Sequence, residues 1–395
     1  MSVLHLGIVC GGRSGEHEVS LRSARGIFGA VDRTRFEPLL LAIDKHGRWR
    51  AGSLDALILD GHDPARIRLA PSAPEVVPVA RSGRLVLLAE PALHELAALD
   101  VAFPIIHGTD GEDGALQGWL RLVGIPFVGA DVLGSAIGMD KDVMKRLLAQ
   151  AGLPIPRFQV LRRGDDFQAA WEAASRELGL PLFVKPANLG SSVGVSRVTE
   201  RKGFETAVED ALRFDVKLML EQAIVGRELE CSVLGNRTAA PASAKRSGLL
   251  APRSERSAAA ALEAGRPRAS RVGEIRPRHG FYSYAAKYLD EAGAELLVPA
   301  PLDPATEASV QELALRVFDV LECDGMARVD FFLAPDGQIV VNEINTLPGF
   351  TPISMYPKLW EASGLSYTDL VTRLVELALD KHRQRAGLKR DFETV

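Results

Sequence analysis

Cysteine is scarce in this chain: Cys10, Cys231 and Cys323 are odd in number, far apart and without metal-type spacing. That excludes a disulfide framework, suits a reducing cytoplasm, and leaves each thiol as a small buried hydrophobe. A surplus of charge of one sign is also missing. The net charge of -4 and pI near 6.1 leave no electrostatic footprint for nucleic acid. No apolar run approaches the roughly 20 residues that span a bilayer, so no membrane partner is expected. The opening residues Met1 to Cys10 lack a basic leader and a small-residue cleavage site, and read as a first strand. Two nucleotide signatures are absent as well. There is no Gly-Lys-Ser/Thr loop entering a helix and no Gly-x-Gly-x-x-Gly, which removes a nicotinamide-dependent oxidoreductase from consideration.

What is present is an ordinary globular composition, 47% hydrophobic and 25% charged over 395 residues, enough for two or three domains. Strand-like runs at Leu4 to Cys10, Pro38 to Asp44 and Leu99 to Ile106 alternate with helical periods, the pattern of a parallel sheet in an α/β domain over 1–134. Leu116, Trp119, Leu120 and Val123 share a helical face that Gly124 ends, and Ile125 to Val128 reads as a short strand. A second unit, 135–225, opens with a helix through Lys141 and carries strands at Phe158, Leu182 and Val216. The third, 226–395, holds a strand at Glu228 to Leu234, a helix from Thr306 to Leu321, a hairpin and a C-terminal helix from Tyr367. Within it 242–271 has seven basic residues against Glu255 and Glu263 and no sustained apolar period, so a long mobile surface insertion is expected there.

The hairpin Met326 to Asn345 contains an electrostatic puzzle. Asp336-Gly337 is a strong signal for a two-residue turn, because both tolerate the positive φ that such turns need. Counting back from it places Asp330 opposite Glu343 and Arg328 opposite Asn345, all four on one face, while Val329, Phe331 and Leu333 point into a core. Two carboxylates facing each other across a ladder repel. A hard divalent cation taking oxygen from Asp330, Glu343 and the Asn345 amide resolves the conflict. A solvated strand face with chance acids is the plain alternative.

Other segments carry weaker signals. Leu182-Phe-Val-Lys-Pro-Ala-Asn-Leu-Gly-Ser-Ser-Val-Gly-Val-Ser196 is a strand and a small-residue loop whose N-H groups can approach phosphate, with Lys185 at the strand end. Lys141 and Lys145 lie one helical turn apart, and taken alone they read as a solvated face. Glu221 ends a buried strand before a short linker to Glu228, an arrangement that suits adenine on backbone groups and ribose hydroxyls on Glu228. In the first unit, Gly11-Gly-Arg-Ser-Gly-Glu-His17 and Phe103-Pro-Ile-Ile-His-Gly-Thr-Asp-Gly-Glu-Asp-Gly114 follow strand ends, where ligands of open α/β sheets gather. Helix capping by Ser14 or Glu18 is the rival reading of the first.

These blocks, in this order, resemble the ATP-grasp ligases, and within them the D-alanine-D-alanine ligase family. The resemblance runs roughly from Leu4 to Leu377 and rests on GGRSGEHEVSL, HGTDGEDGALQG, MDKDVMK, FVKPANLGSSVGVS, FYSYAAKYL, ARVDFF and NEINTLPGFTPISMYP. It implies an α/β and α+β chain: an N-terminal α/β (preATP-grasp) domain, a central domain and a C-terminal domain, with ATP between the last two. The implied reaction joins two D-alanine molecules through a D-alanyl phosphate, for peptidoglycan, in a cytoplasmic homodimer. Lys141, Lys185 and Lys287 would meet ATP phosphates. The loop Gly190 to Ser196 would close over them, with Gly190, Ser191, Ser192 and Val193 as contacts, and Glu221, Ile224 and Glu228 would hold the adenosine. Asp330, Glu343 and Asn345 match ligands of two Mg2+ (or Mn2+) ions. Glu16, Ser191 and Tyr288 match the contacts to the first D-alanine, His107 lies near the reacting groups, and Ser354 matches a contact to the second substrate's carboxylate. Arg328 and the Gly349 N-H would stabilise the tetrahedral oxyanion. On that reading Arg328 is reserved for substrate instead of quieting Asp330. Tyr288 favours D-alanine as second substrate; a D-alanine-D-lactate ligase or another ATP-grasp carboxylate-amine ligase is the alternative.

Overall fold

The computed structural model describes residues 3–61, 63, 66–237, 266–278 and 293–389. The chain opens as β1 (Leu4–Gly11), α1 (His17–Ala30), β2 (Phe36–Ile43), β3 (Trp49–Gly52) and α2 (Leu54–Leu57), followed by the short pair β4 (Ile58–Leu59) and β5 (Arg68–Leu69). Strands β6 (Val76–Arg81), β7 (Arg84–Ala89) and β8 (His94–Leu99) form an antiparallel sheet of their own, which a purely parallel α/β reading misses. β9 (Val101–Pro104) returns to β1, giving the order β3-β2-β1-β9 with β1 parallel to both β2 and β9. The expected strand at Ile125 to Val128 shrinks to one bridge, Phe127 to Ala102, after α3 (Ala115–Leu122).

α4 (Val132–Met139) and α5 (Lys141–Gln150) lead into the sheet β10-β13-β11-β12, built from β10 (Phe158–Arg162), β11 (Leu182–Pro186), β12 (Ser196–Val198) and β13 (Lys217–Gln222). α6 (Phe167–Leu178) and α7 (Arg201–Ala211) cover one face, burying Ala174, Leu178, Phe204 and Val208 against Leu182, Val184 and Leu220. The opposite face is left for the cleft.

The third sheet has the order β16-β15-β14-β17-β18, with β14 (Arg227–Gly235), β15 (Arg268–Pro277), β16 (Ala294–Leu297), β17 (Gly325–Leu333) and β18 (Ile339–Asn345). α8 (Pro304–Val320) lies across one side. It starts at Asp303, whose carboxylate caps the N-H groups of Ala305 and Thr306, and Pro304 supplies a preset φ in the first turn. Its Val310, Ala314, Val317 and Phe318 bury against Cys231, Val329 and Phe331. α9 (Met355–Ala362) and α10 (Tyr367–Ala386) fold back onto the first sheet, so that Tyr356, Trp360, Leu370 and Leu374 share one core with Leu6, Ile8 and Phe103. The C-terminal helices thereby fix the first sheet beside the third.

Two expectations need correction here. The insertion expected over 242–271 ends too late, because Arg268 to Arg271 already belong to β15 and Ser270 is buried. Residues 242–265 lie outside the described residues. The hairpin turn is also different from the two-residue form: Ala334 N-H donates to Gln338 O at 2.9 Å and Gly337, at φ 85°, closes a three-residue loop. That change shifts the register by one, giving Leu333 opposite Ile339 and Phe331 opposite Val341. A bulge at Asn342 then shifts it back, so Asp330 still faces Glu343 and Arg328 still faces Asn345. The bulge has a reason in the side chains. Val341 and Glu343 have the same parity, yet Val341 is in the core and Glu343 in the cleft, and only an extra residue between them allows both.

Candidate active site

The cleft lies between the four-stranded and five-stranded antiparallel sheets. One wall carries Lys141, Lys185 and Glu221; the other carries Glu228, Asp330 and Glu343; Gly190, Ser191, Ser192 and Ile224 rim it. Lys145, expected with Lys141 on a solvated helix face, is instead fully buried. Its ammonium is 2.8 Å from Glu221 Oε2 and donates at 2.9 Å to the carbonyl of Asn342, the bulge residue. Lys185 reaches Glu221 Oε1 at 2.5 Å. Burial depresses the Lys145 ammonium below its usual range in spite of Glu221 beside it. For Glu221, burial pushes upward, but the Lys145 and Lys185 charges outweigh it and hold the carboxyl below its ordinary range. Two ammonium groups on one carboxylate leave positive charge in excess at this wall. Since the Glu221 carboxylate is taken up by lysines, an adenosine contact from this residue must use its backbone.

Lys141 completes the cationic side. Its backbone N-H donates to Ala187 O at 2.9 Å and its ammonium to Leu189 O at 2.5 Å, which ties α5 to the start of the loop. Asp140 caps α5 and also pairs with Lys217, which ties the helix to β13. Ser191 and Ser192 have φ of 52° and 59°, a left-handed pair of non-glycine residues of the kind that concentrates at ligand loops.

Across the cleft the register aligns three acids in one row, Glu230 on β14, Asp330 on β17 and Glu343 on β18. Arg328 stands in the next row and grips Asp330 by a fork, Nε to Oδ1 and Nη2 to Oδ2, both at 2.7 Å. Its Nε is also 3.1 Å from Glu230 Oε2. The sequence reading that kept Arg328 away from Asp330 is therefore corrected for this state. Lys141 Nζ lies 3.5 Å from Glu343, and Asn345 donates its amide to Asp330 at 3.1 Å. Two carboxylates and an amide are hard oxygen donors, and cationic side chains already stand on both acids. That donor set fits a divalent cation such as Mg2+. Among the described residues, no group of three His, Cys, Asp or Glu side chains converges as a metal site, so any such ion would complete its shell from the amide, substrate or water.

A second, contiguous hollow is lined by Glu16, His107, Ser191, Arg328, Gly349 and Ser354. The Ser191 hydroxyl donates to Glu16 Oε1, joining the loop to the first unit. Burial pushes the His107 imidazole down to about 4, so it is neutral at physiological pH; its Nε2 is 3.0 Å from Ser23 Oγ, which accepts from Phe350 N-H. The N-cap of α1 is Glu16, without a side-chain capping bond; the Ser14 hydroxyl donates to His107 O and accepts from the Glu16 N-H at 3.2 Å. Thr351 N-H donates to Ser354 Oγ at 2.9 Å, and a Cβ at Gly349 would stand 2.8 Å from that hydroxyl and displace it. Glu112, missed at the sequence level, lines the same hollow and accepts from Gly108 N-H at 2.7 Å. Burial and then the neighbouring Glu16 raise its carboxyl to about 8.

The cleft and hollow thus unite the expected residues from three separate sheets, except for three. Val193 is in the loop but does not line either space, and Tyr288 and Lys287 lie outside the described residues. Glu230 and Lys145 are the other residues that sequence reasoning left out of the site. Glu230 shares strand parity with Glu228, which was the available signal.

The protein-family model for the D-ala D-ala ligase N-terminus matches residues 5–130, and that for the D-ala D-ala ligase C-terminus matches 147–247 and 255–376. The D-alanine-D-alanine ligase A of Chromobacterium violaceum is 50% identical over 395 residues, covering 100% of both chains. Among solved structures, the D-alanine-D-alanine ligase from Coxiella burnetii has a TM-score of 0.78 at 34% identity, over 98% of this chain and 97% of that one. The VanG D-Ala:D-Ser ligase of Enterococcus faecalis has a TM-score of 0.77 at 31% identity, over 95% and 100%.

Proposed function

The chain belongs to the D-alanine-D-alanine ligase family, and on that premise we propose how its residues divide the ATP-dependent joining of two D-alanine molecules that serves cell-wall synthesis. The first D-alanine rests with its ammonium on Glu16 and is bounded by Ser191 and Tyr288. Its carboxylate oxygen attacks the γ-phosphorus of ATP; the bond to the β,γ-bridging oxygen breaks and ADP leaves. Lys141, Lys185 and Lys287 hold the phosphates, the loop Gly190 to Val193 excludes water, and Ile224, Glu228 and the Glu221 backbone seat the adenosine. Asp330, Glu343 and Asn345 would hold two Mg2+ or Mn2+ ions, which would spread the charge of the transferring phosphoryl group.

The amine of the second D-alanine, with its carboxylate near Ser354, then attacks the acyl carbon. A tetrahedral centre forms, its oxyanion facing the Arg328 guanidinium and the Gly349 N-H, and collapses with loss of phosphate, which leaves with the proton given up by the amine. His107, kept neutral by its burial, adds no charge beside these groups. We divide the chain into 1–134, 135–225 and 226–395, each unit holding one of the three larger sheets, with ATP between the last two. A homodimer rests on the family resemblance. A cytoplasmic location rests on ATP use and on three free, buried cysteines.

The observation that carries this reading is the opposition of a lysine-rich wall to an acid row across one cleft, with Lys141 3.5 Å from Glu343 between them. A coupled assay with ATP, Mg2+ and D-alanine should release one ADP per dipeptide formed. Absence of D-alanine-dependent ADP release would refute it. Parallel reactions with D-lactate or D-serine as the second substrate, across pH, are expected to yield far less mixed product than dipeptide.

A further inference from the structure

Arg328 has conflicting obligations in the proposed reaction. Its fork occupies both oxygens of Asp330 at 2.7 Å, the oxygens that a divalent ion would take. Once Asp330 is committed to a cation, the guanidinium loses that fork and meets a like charge, which pushes it out of place. A guanidinium released into the hollow would lose the fixed aim that oxyanion stabilisation requires.

The row of acids contains the remedy. Glu230 sits directly opposite Asp330 on the neighbouring strand, with its Oε2 3.1 Å from Arg328 Nε. Its side chain is only 7% exposed, against 17% for Arg328, so the pair is poorly screened by water. It lines both the cleft and the hollow, at the point where they join. Ser232 and Asn345 flank Arg328 on the adjacent strands, and neither carries a charge. β14 therefore supplies a carboxylate beside the guanidinium that is distinct from the proposed metal ligands.

We infer that Glu230 is a positioning residue that holds Arg328 over the substrate hollow when Asp330 exchanges its arginine for a metal ion. This rests on the metal and oxyanion roles proposed above. It also gives Glu230 a second effect, since an arginine with another anchor competes less strongly for Asp330 and leaves it easier to metallate.

The test is Mn2+ binding to the full-length protein with ADP present, read by electron paramagnetic resonance, alongside kcat and melting temperature. Glu230→Gln should weaken Mn2+ binding about 5- to 20-fold and lower kcat about 10- to 100-fold, with KM for ATP changed less than about twofold. Glu230→Asp should recover part of both losses. In an Arg328→Gln background, Glu230→Gln should alter Mn2+ affinity less than about twofold, because no arginine remains to compete. Equal weakening in both backgrounds would make Glu230 a direct ligand and overturn the inference, as would wild-type Mn2+ affinity and kcat in a folded Glu230→Gln protein. If the wild-type protein binds no Mn2+ at all, the metal reading itself fails, an outcome separate from these two.

Discussion

The two walls of the cleft treat buried charge in opposite ways. On the wall built by α5, β11 and β13, Glu221 lies between Lys145 and Lys185, and the cluster closes on itself with one ammonium to spare. On the wall built by β14, β17 and β18, three acids share a row with Arg328, and Lys141 reaches in from the opposite side. The first wall is formally cationic and the second anionic. A nucleotide triphosphate with its divalent ion has the complementary pattern, phosphate toward the lysines and metal toward the acids. The lysine cluster is electrostatically closed around Glu221, whereas the acid row holds three carboxylates against Arg328 and the tip of Lys141.

Removing the shared anion of the finished cluster should have the largest effect on stability. Glu221→Gln leaves two buried ammonium groups without their partner, a loss of about 3–5 kcal/mol seen as a melting temperature lower by several degrees. Because the Lys145 proton is already easier to lose than usual, the deficit should shrink at pH 9 relative to pH 7. A variant as stable as wild type at both pH values would break the contrast between the walls.

Glu112 offers a smaller test, since it meets its like-charged neighbour Glu16 with a proton and not a cation. Its carboxyl, raised from 4.5 to about 8, stays protonated in the fold over a range where the unfolded chain is ionised. Unfolding then releases a proton, so this group makes stability fall as pH rises from about 5 to about 8. Glu112→Gln should flatten that slope, its melting temperature gaining about one to three degrees on wild type between those pH values. A difference that does not change with pH would show that Glu112 is not protonated there.

Local chemistry was the part of this molecule most legible in its sequence. Gly124 follows its helix where expected, and the Lys185 strand and its returning loop pair as β11 and β12; the helix expected from Thr306 starts two residues earlier, at Pro304. The facing of Asp330 and Glu343 was also foreseen, but only because the three-residue loop and the Asn342 bulge shift the register in opposite directions. Neither offset is written in the turn motif; the parity of Val341 and Glu343 was the clue to the bulge. What remained hidden was strand order. Nothing in the segment Arg227 to Gly235 says that it will lie beside β17, so Glu230 had no visible partner. Lys145 was misjudged for the same reason, as Glu221 is 76 residues away along the chain and the two meet only when β13 docks against α5.

On the proposed function, a divalent cation completes the acid row. Glu343→Gln keeps the shape of the side chain and removes one carboxylate. Titrated with Mn2+ in the presence of ADP, it should bind more than about tenfold more weakly than wild type, and it should lose ligase activity by about three orders of magnitude at ordinary Mg2+, with its melting temperature unchanged. Wild-type Mn2+ affinity together with near wild-type ligase activity in this variant would show that Glu343 is not a metal ligand.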